Sequence, residues 1–134
     1  MKYIILGAWV IQAVAGSTLL SRWARHARGA NTPTVLAHVI IMLVCIAGWV
    51  TFVVTDTVLW AWLAWGVLAI GIPFGEVQMV GRIRHHRGET SSGMRDYGHA
   101  IRGVFTGALP PLVAFHAMFS AVVFFGSLGV AIGV

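Results

Sequence analysis

The sequence predicts an all-α fold, a transmembrane four-helix bundle, on three observations. Hydrophobic residues make up 58% of the 134-residue chain and charged residues only 10%, with a mean hydropathy of +0.85; a soluble domain carries about a quarter charged residues. Four stretches, 3–21, 29–55, 57–75 and 103–134, contain no Asp, Glu, Lys or Arg, and a spanning helix needs about 20 mostly apolar residues. The arginines fall in alternate connections. Arg22, Arg25 and Arg28 follow the first stretch, and Arg82, Arg84, Arg87, Arg95 and Arg102 separate the third from the fourth. The chain is therefore read as one domain, 1–134, with spans at about 3–20, 34–55, 58–79 and 108–131. Barrel strands would alternate polar and apolar residues over about ten positions, and these runs do not.

Charge placement also sets the expected orientation and partners. A net charge of +5 is compatible with nucleic acid binding. Here, however, the positive charge lies beside spans, where it obeys the positive-inside rule. Both arginine-rich connections are expected in the cytoplasm and both termini outside, with Lys2 a minor exception. The expected location is a bacterial cytoplasmic membrane, crossed several times, with no nucleic acid partner. Ala13, Val14 and Ala15 have the small-residue pattern of a signal-peptidase site. Cleavage there would carry Arg22, Arg25 and Arg28 outside, so span one is read as retained.

Span one places Gln12 between Ala8 and Gly16, small residues one helical turn away on either side. This reads as a packing face, with Gln12 hydrogen-bonded to another helix. Trp23 and the arginines mark its inner interface, and His26 is expected in solvent. Span two opens after Asn31, Thr32 and Pro33, proline being favoured at the first helical position. At 100° per residue, His38, Met42, Cys45 and Trp49 share one face, which is expected to look into the bundle. Cys45, the one cysteine, reads as a small buried hydrophobe. Span three carries Trp60, Trp62 and Trp65 near its outer end. With Trp9 and Trp49 they read as an aromatic belt. Pro73 is expected to free the carbonyl of Ala69 and kink the helix. Glu76 follows near the inner boundary and is expected to snorkel or to pair with Arg82 or Arg84.

The connection 81–104 is the main polar segment. Residues 82–87 form a basic run and 89–93 a turn. Met94, Tyr97, Ile101 and Phe105 then fall near one helical face, with Arg95, Asp96, His99 and Arg102 elsewhere. This predicts a short amphipathic helix on the inner leaflet. Arg82, Arg84, Arg87, Arg95 and Arg102 are its candidate contacts to anionic lipid headgroups, at about 1 kcal/mol each. His85, His86 and His99 follow no zinc-ligand spacing.

The fourth span repeats part of the second. Residues 33–50 align without a gap on 111–128 and share Pro33/Pro111, Val35/Val113, His38/His116, Val44/Val122 and Gly48/Gly126. Each histidine follows its proline by five residues, roughly 7.5 Å into its helix. Both helices run in the same direction, so both imidazoles lie at one depth. His116, Ser120, Val123 and Ser127 form the equivalent inward stripe. Gly48 and Gly126 lie about 80° round from their histidines and offer places where a helix or a flat ligand can approach. An ionisable residue inside a span is functional by default, which makes His38 and His116 the candidate site.

Three readings follow. In the first, His38 and His116 are axial ligands of haem b, flanked by Gly48 and Gly126, in an electron-transfer or membrane-anchor subunit. In the second, His38, His116 and Glu76 bind a metal, with Met42 a soft ligand favouring copper. In the third, the histidines tie the bundle together in an accessory or assembly subunit of a larger membrane complex, without cofactor. No hydrolase triad, P-loop, strand-borne GxGxxG or CxxC pair is present, so an enzyme acting alone is not expected.

Pro33, His38, Trp49, Pro110, Pro111 and His116, with the short outer turn and the glycine-bearing third span ending in arginines, carry a resemblance over spans two to four. In these features the chain resembles a group of small uncharacterised four-helix integral membrane proteins of high-GC, actinobacterial-type bacteria. It is more distantly similar to four-helix b-type cytochromes and copper-resistance membrane proteins. The resemblance implies the four-span fold and the histidine pair. It implies no activity.

Overall fold

A computed structural model describes residues 1–26, 31–88 and 94–133, apart from the side chains of residues 85–87 and 94. Arg28, the turn expected at 89–93 and the side chains of His85, His86, Arg87 and Met94 lie outside that description. The described residues form five helices: α1 (Lys2–His26), α2 (Thr32–Thr55), α3 (Val58–Arg87), α4 (Met94–Thr106) and α5 (Pro111–Gly133). Helices α1, α2, α3 and α5 are long and apolar enough to cross a membrane.

Local chemistry accounts for the helix ends. Asn31 precedes α2 in the left-handed region at φ 55°, and Pro33 opens its first turn. Asp56 ends it at φ 54°, its N–H donating to the Phe52 carbonyl at 2.9 Å. Asn and Asp are the side-chain-bearing residues that enter this region most readily. Pro110 lends its carbonyl to the N–H groups of Val113 (2.9 Å) and Ala114 (3.1 Å) at the start of α5. Gly88 (φ 65°) follows α3 and Gly107 (φ 76°) follows α4, where glycine adopts a positive φ without steric cost.

Helix α3 differs from its expected span. It continues through Pro73 and takes in the basic run 82–87, which the sequence reading left in the connection. Arginine, glutamine and methionine are good helix formers, and neither the charges nor the single Gly81 in this stretch ends the helix before Gly88.

The four long helices form a square. Helix α2 packs on α3, α3 on α5 and α5 on α1, with a thinner seam between α1 and α2. Helices α2 and α5 therefore stand on opposite corners, as do α1 and α3. Met1, Asp56 and Gly133 border one pocket, so both ends of the chain lie at one end of the bundle, where Lys2 pairs with Asp56. Arg22 and Arg25 of α1 and Arg82 and Arg84 of α3 lie towards the other. A large apolar core fills the Asp56 end around Trp9, Cys45, Trp49, Phe52, Leu68 and Val123. A smaller one at the arginine end joins Val80, Ile83, Ala100 and Leu109. The outer faces stay apolar: Ile4, Val14, Ile40, Val54, Phe125 and Ile132 are all exposed. Such a surface suits acyl chains rather than water.

Two of the five tryptophans expected in an aromatic belt lie inside the bundle. Trp60 and Trp62 are 40% exposed, whereas Trp9 is 2% and Trp49 0% exposed, inside the core. Trp9 donates from Nε1 to Ser127 Oγ at 3.2 Å, and Trp49 packs edge-on against Phe52. Height along the membrane does not fix which way a side chain points. These two tryptophans continue the inward stripes of α1 and α2.

Candidate functional site

The two apolar cores leave a polar layer between them. Along α5, Val113 and Ala114 pack on the smaller core and Phe119 and Val123 belong to the larger; His116 lies between. Along α3, Val80 and Leu68 belong to the two cores, with Gly71 and Gly75 between. His38 and His116 project into this layer from opposite corners. Their ring centroids are 6.4 Å apart, with ring planes at 78°. The matched proline spacing put the imidazoles at one depth, and the square arrangement turns them towards each other.

His38 is fixed by its ring. Its Nδ1 lies 3.1 Å from the Gly71 carbonyl. A carbonyl only accepts, so Nδ1 carries the proton and Nε2 of the neutral ring keeps its lone pair. The acceptor is not the Ala69 carbonyl that Pro73 frees. It lies two residues before the proline, on the α3 face that meets α2. Gly75, one turn further along α3, lies against the ring: a Cβ there would lie 3.0 Å from His38 Cε1. Gly71 is packed by Met42 and Ile41, which leave no room for a Cβ.

His116 is fixed by its backbone. Gln12 Nε2 donates to its carbonyl at 3.0 Å, the helix-to-helix bond expected of Gln12. Gly16, one turn on in α1, lies against the ring, where a Cβ would be 3.2 Å from Cε1. The His116 Nδ1 and Gln12 Oε1 are buried without a hydrogen-bond partner. Unsatisfied buried polar atoms are uncommon and ask for an explanation. Ser120 does not reach the ring; it donates to the Ala117 carbonyl at 2.6 Å.

The other expected site residues are dispersed. Gly48 faces Ala64, whose Cβ would lie 3.3 Å from an added methyl, and Gly126 faces Ile5. Both serve helix packing in the larger core, away from the histidines. The glycines that line the histidine pair are Gly16, Gly71 and Gly75. A sequence clue existed in Gly16, one turn from Gln12, and in the Gly71–Pro73–Gly75 pattern, but neither names its partner helix. Met42 lies against Gly71, beside His38 on α2. Among the described residues, no group of three or more His, Cys, Asp and Glu side chains gathers closely enough to hold a metal ion, so Glu76 does not join the two imidazoles.

At the arginine end, Arg84 binds Asp96 of α4 from Nε at 3.2 Å and Nη2 at 3.0 Å, both to Oδ2. Asp96 is buried, although its place on the helix wheel put it with the polar residues. Arg84 is thus engaged within the fold, and not with Glu76. Arg82, Arg95 and Arg102 are exposed. On α4, Asp96, Ala100 and Gly103 turn inward, while Tyr97, Ile101 and Phe105 remain exposed.

No protein-family model, curated protein or solved structure matches this chain. The functional reading rests on the site itself.

Proposed function

We propose that this chain is a multi-pass subunit of a bacterial cytoplasmic membrane that holds haem b between His38 and His116, as an electron carrier or as the anchor of a larger oxidoreductase. The observation that carries the reading is the approach of two imidazoles, at 6.4 Å between ring centres, from opposite corners of an apolar bundle. Two imidazoles this close can both serve one metal centre, His38 through its free Nε2.

The surroundings support the same donor set. Gly71 fixes the His38 tautomer that leaves Nε2 free to ligate, the outer-shell arrangement of many metal-bound histidines. His116 carries an unpartnered ring nitrogen. Gly16 and Gly75 are the small residues against the two rings, one on each of the remaining corner helices. Haem held here would supply a one-electron centre. The chain's own residues would orient the two ligands and keep water from them. The copper reading has less support, because Glu76 does not reach the pair.

In the same reading, the termini face outward and α4 lies on the inner leaflet. Exposed Tyr97, Ile101 and Phe105 would enter the acyl boundary, and Arg82, Arg95 and Arg102 would meet anionic headgroups. The test is an absorption spectrum of the detergent-purified protein, expressed with full haem supply. A Soret band is expected, and His38→Ala and His116→Ala should each abolish it. A colourless wild-type preparation refutes haem binding. Co-purification of that colourless protein with a larger complex would favour the accessory reading instead.

A further inference from the structure

The bundle is not closed equally on its four sides. Helix α1 packs mainly on α5 and α2 mainly on α3, and the seam between α1 and α2 is thin. An open groove of about 550 Å³ runs along this seam. Trp9, Val10, Ala13 and Val14 of α1 and Ile46 and Val50 of α2 line its apolar part. Its arginine end changes character: Ser17, Thr18, Ser21 and Arg25 line it there. Arg25 folds back along its own helix, with Nε donating to the Ser21 carbonyl at 3.3 Å and Nη2 to Ser21 Oγ at 3.1 Å. Arg25 is an exposed residue, and no Asp or Glu lies on α1 or on α2.

We propose that this groove is a binding site for one anionic phospholipid, its phosphate on Arg25 and the Ser21 hydroxyl and one acyl chain along the seam. Charge complementarity selects the headgroup, since a guanidinium beside a hydroxyl is a phosphate-binding pair. The apolar length selects a lipid over a free anion. From Ser21 to Leu6, the last α1 residue lining it, the groove runs roughly 22 Å at 1.5 Å per residue. That is long enough for one extended acyl chain and lies within a hydrocarbon core about 30 Å thick. A bilayer leaves no void on a helix surface, so an acyl chain fills the seam in any case; Arg25 decides which lipid it belongs to. This site is separate from the histidine pair and does not depend on haem.

The test uses the full chain in nanodiscs of phosphatidylcholine, alone or mixed with phosphatidylglycerol, followed by native mass spectrometry after release into mild detergent. One phosphatidylglycerol should be retained per chain. Arg25→Gln, a change at an exposed position, should weaken the preference for phosphatidylglycerol over phosphatidylcholine about fivefold, since one surface arginine is worth about 1 kcal/mol. Ala13→Leu with Ser17→Leu, which fills the groove, should abolish retention of either lipid. Equal retention of both lipids by the wild type overturns the headgroup assignment. Retention unchanged in both variants means annular lipid only and overturns the site. A dimer that the groove-filling variant converts to monomer shows that a second copy occupies the seam, and also overturns it.

Discussion

Replacing Gly75 by alanine tests whether α3 walls the His38 imidazole. The new Cβ would stand 3.0 Å from His38 Cε1, 3.5 Å from Nδ1 and 3.6 Å from Nε2. Carbon atoms rest at about 3.5–4.0 Å, so the ring must give by a few tenths of an ångström. It is not free to do so. Its Nδ1 already bonds the Gly71 carbonyl at 3.1 Å, near the long end of the N–H···O range of about 2.7–3.2 Å. Overpacking of this kind costs about 1–3 kcal/mol, and an interhelical hydrogen bond in a membrane averages about 0.6 kcal/mol. Gly75→Ala should therefore destabilise the bundle by about 1–3 kcal/mol. In a His38→Ala background the obstacle is gone, and the same change should stabilise by about 0.5–1 kcal/mol through the lower backbone entropy of alanine. Denaturation of the four detergent-solubilised proteins, followed by circular dichroism, completes the cycle. The expected coupling, the difference between the two effects, is about 1.5–4 kcal/mol. If Gly75→Ala has the same effect in both backgrounds, within about 0.5 kcal/mol, the ring does not rest on Gly75.

Other contacts give further expectations. Gln12→Leu removes the bond to the His116 carbonyl and should cost at most about 1–2 kcal/mol in thermal unfolding; a larger loss would mean that Gln12 Oε1 has a partner of its own. Trp9→Phe leaves the buried Ser127 hydroxyl without its donor and should destabilise by about 1–3 kcal/mol, a value that Trp9→Phe with Ser127→Ala should largely restore. Arg84→Ala removes the Arg84 contact of the buried Asp96 carboxylate and should loosen α4, read as faster amide hydrogen exchange over residues 95–106. Asp96→Asn should lessen that effect in the Arg84→Ala background, and an α4 as protected as in the wild type would show that the pair does not hold it.

The helices were legible because their determinants are local. Charge-free runs of about twenty residues mark spans whatever surrounds them, and 100° per residue put Cys45, Trp49, Val123 and Ser127 on inward faces, where the structure buries them. The depth of the two histidines was legible too, since a proline start and a fixed rise set it. What a helix cannot announce is its neighbour. Periodicity gives an angle about the helix's own axis and not the corner that the helix occupies. Periodicity left Gly48 and Gly126 open to a helix or a flat ligand; packing sets them against Ala64 and Ile5. Trp9, placed by height in a belt, likewise lies in the core, whereas the stripe shared with Cys45 already turned Trp49 inward. Asp96, polar by type, is buried because α3 brings Arg84 to it.

The amino-acid order alone thus determined four apolar helices, their alternating direction and two imidazoles at one level. Tertiary packing decided that α2 and α5 stand on opposite corners, that the two rings meet between them, and that Gly16, Gly71 and Gly75 line the place where they do. Hydropathy and helical rise act along a single helix. The arrangement of four such helices depends on side-chain shapes matched across interfaces, which are set by residues far apart in the chain.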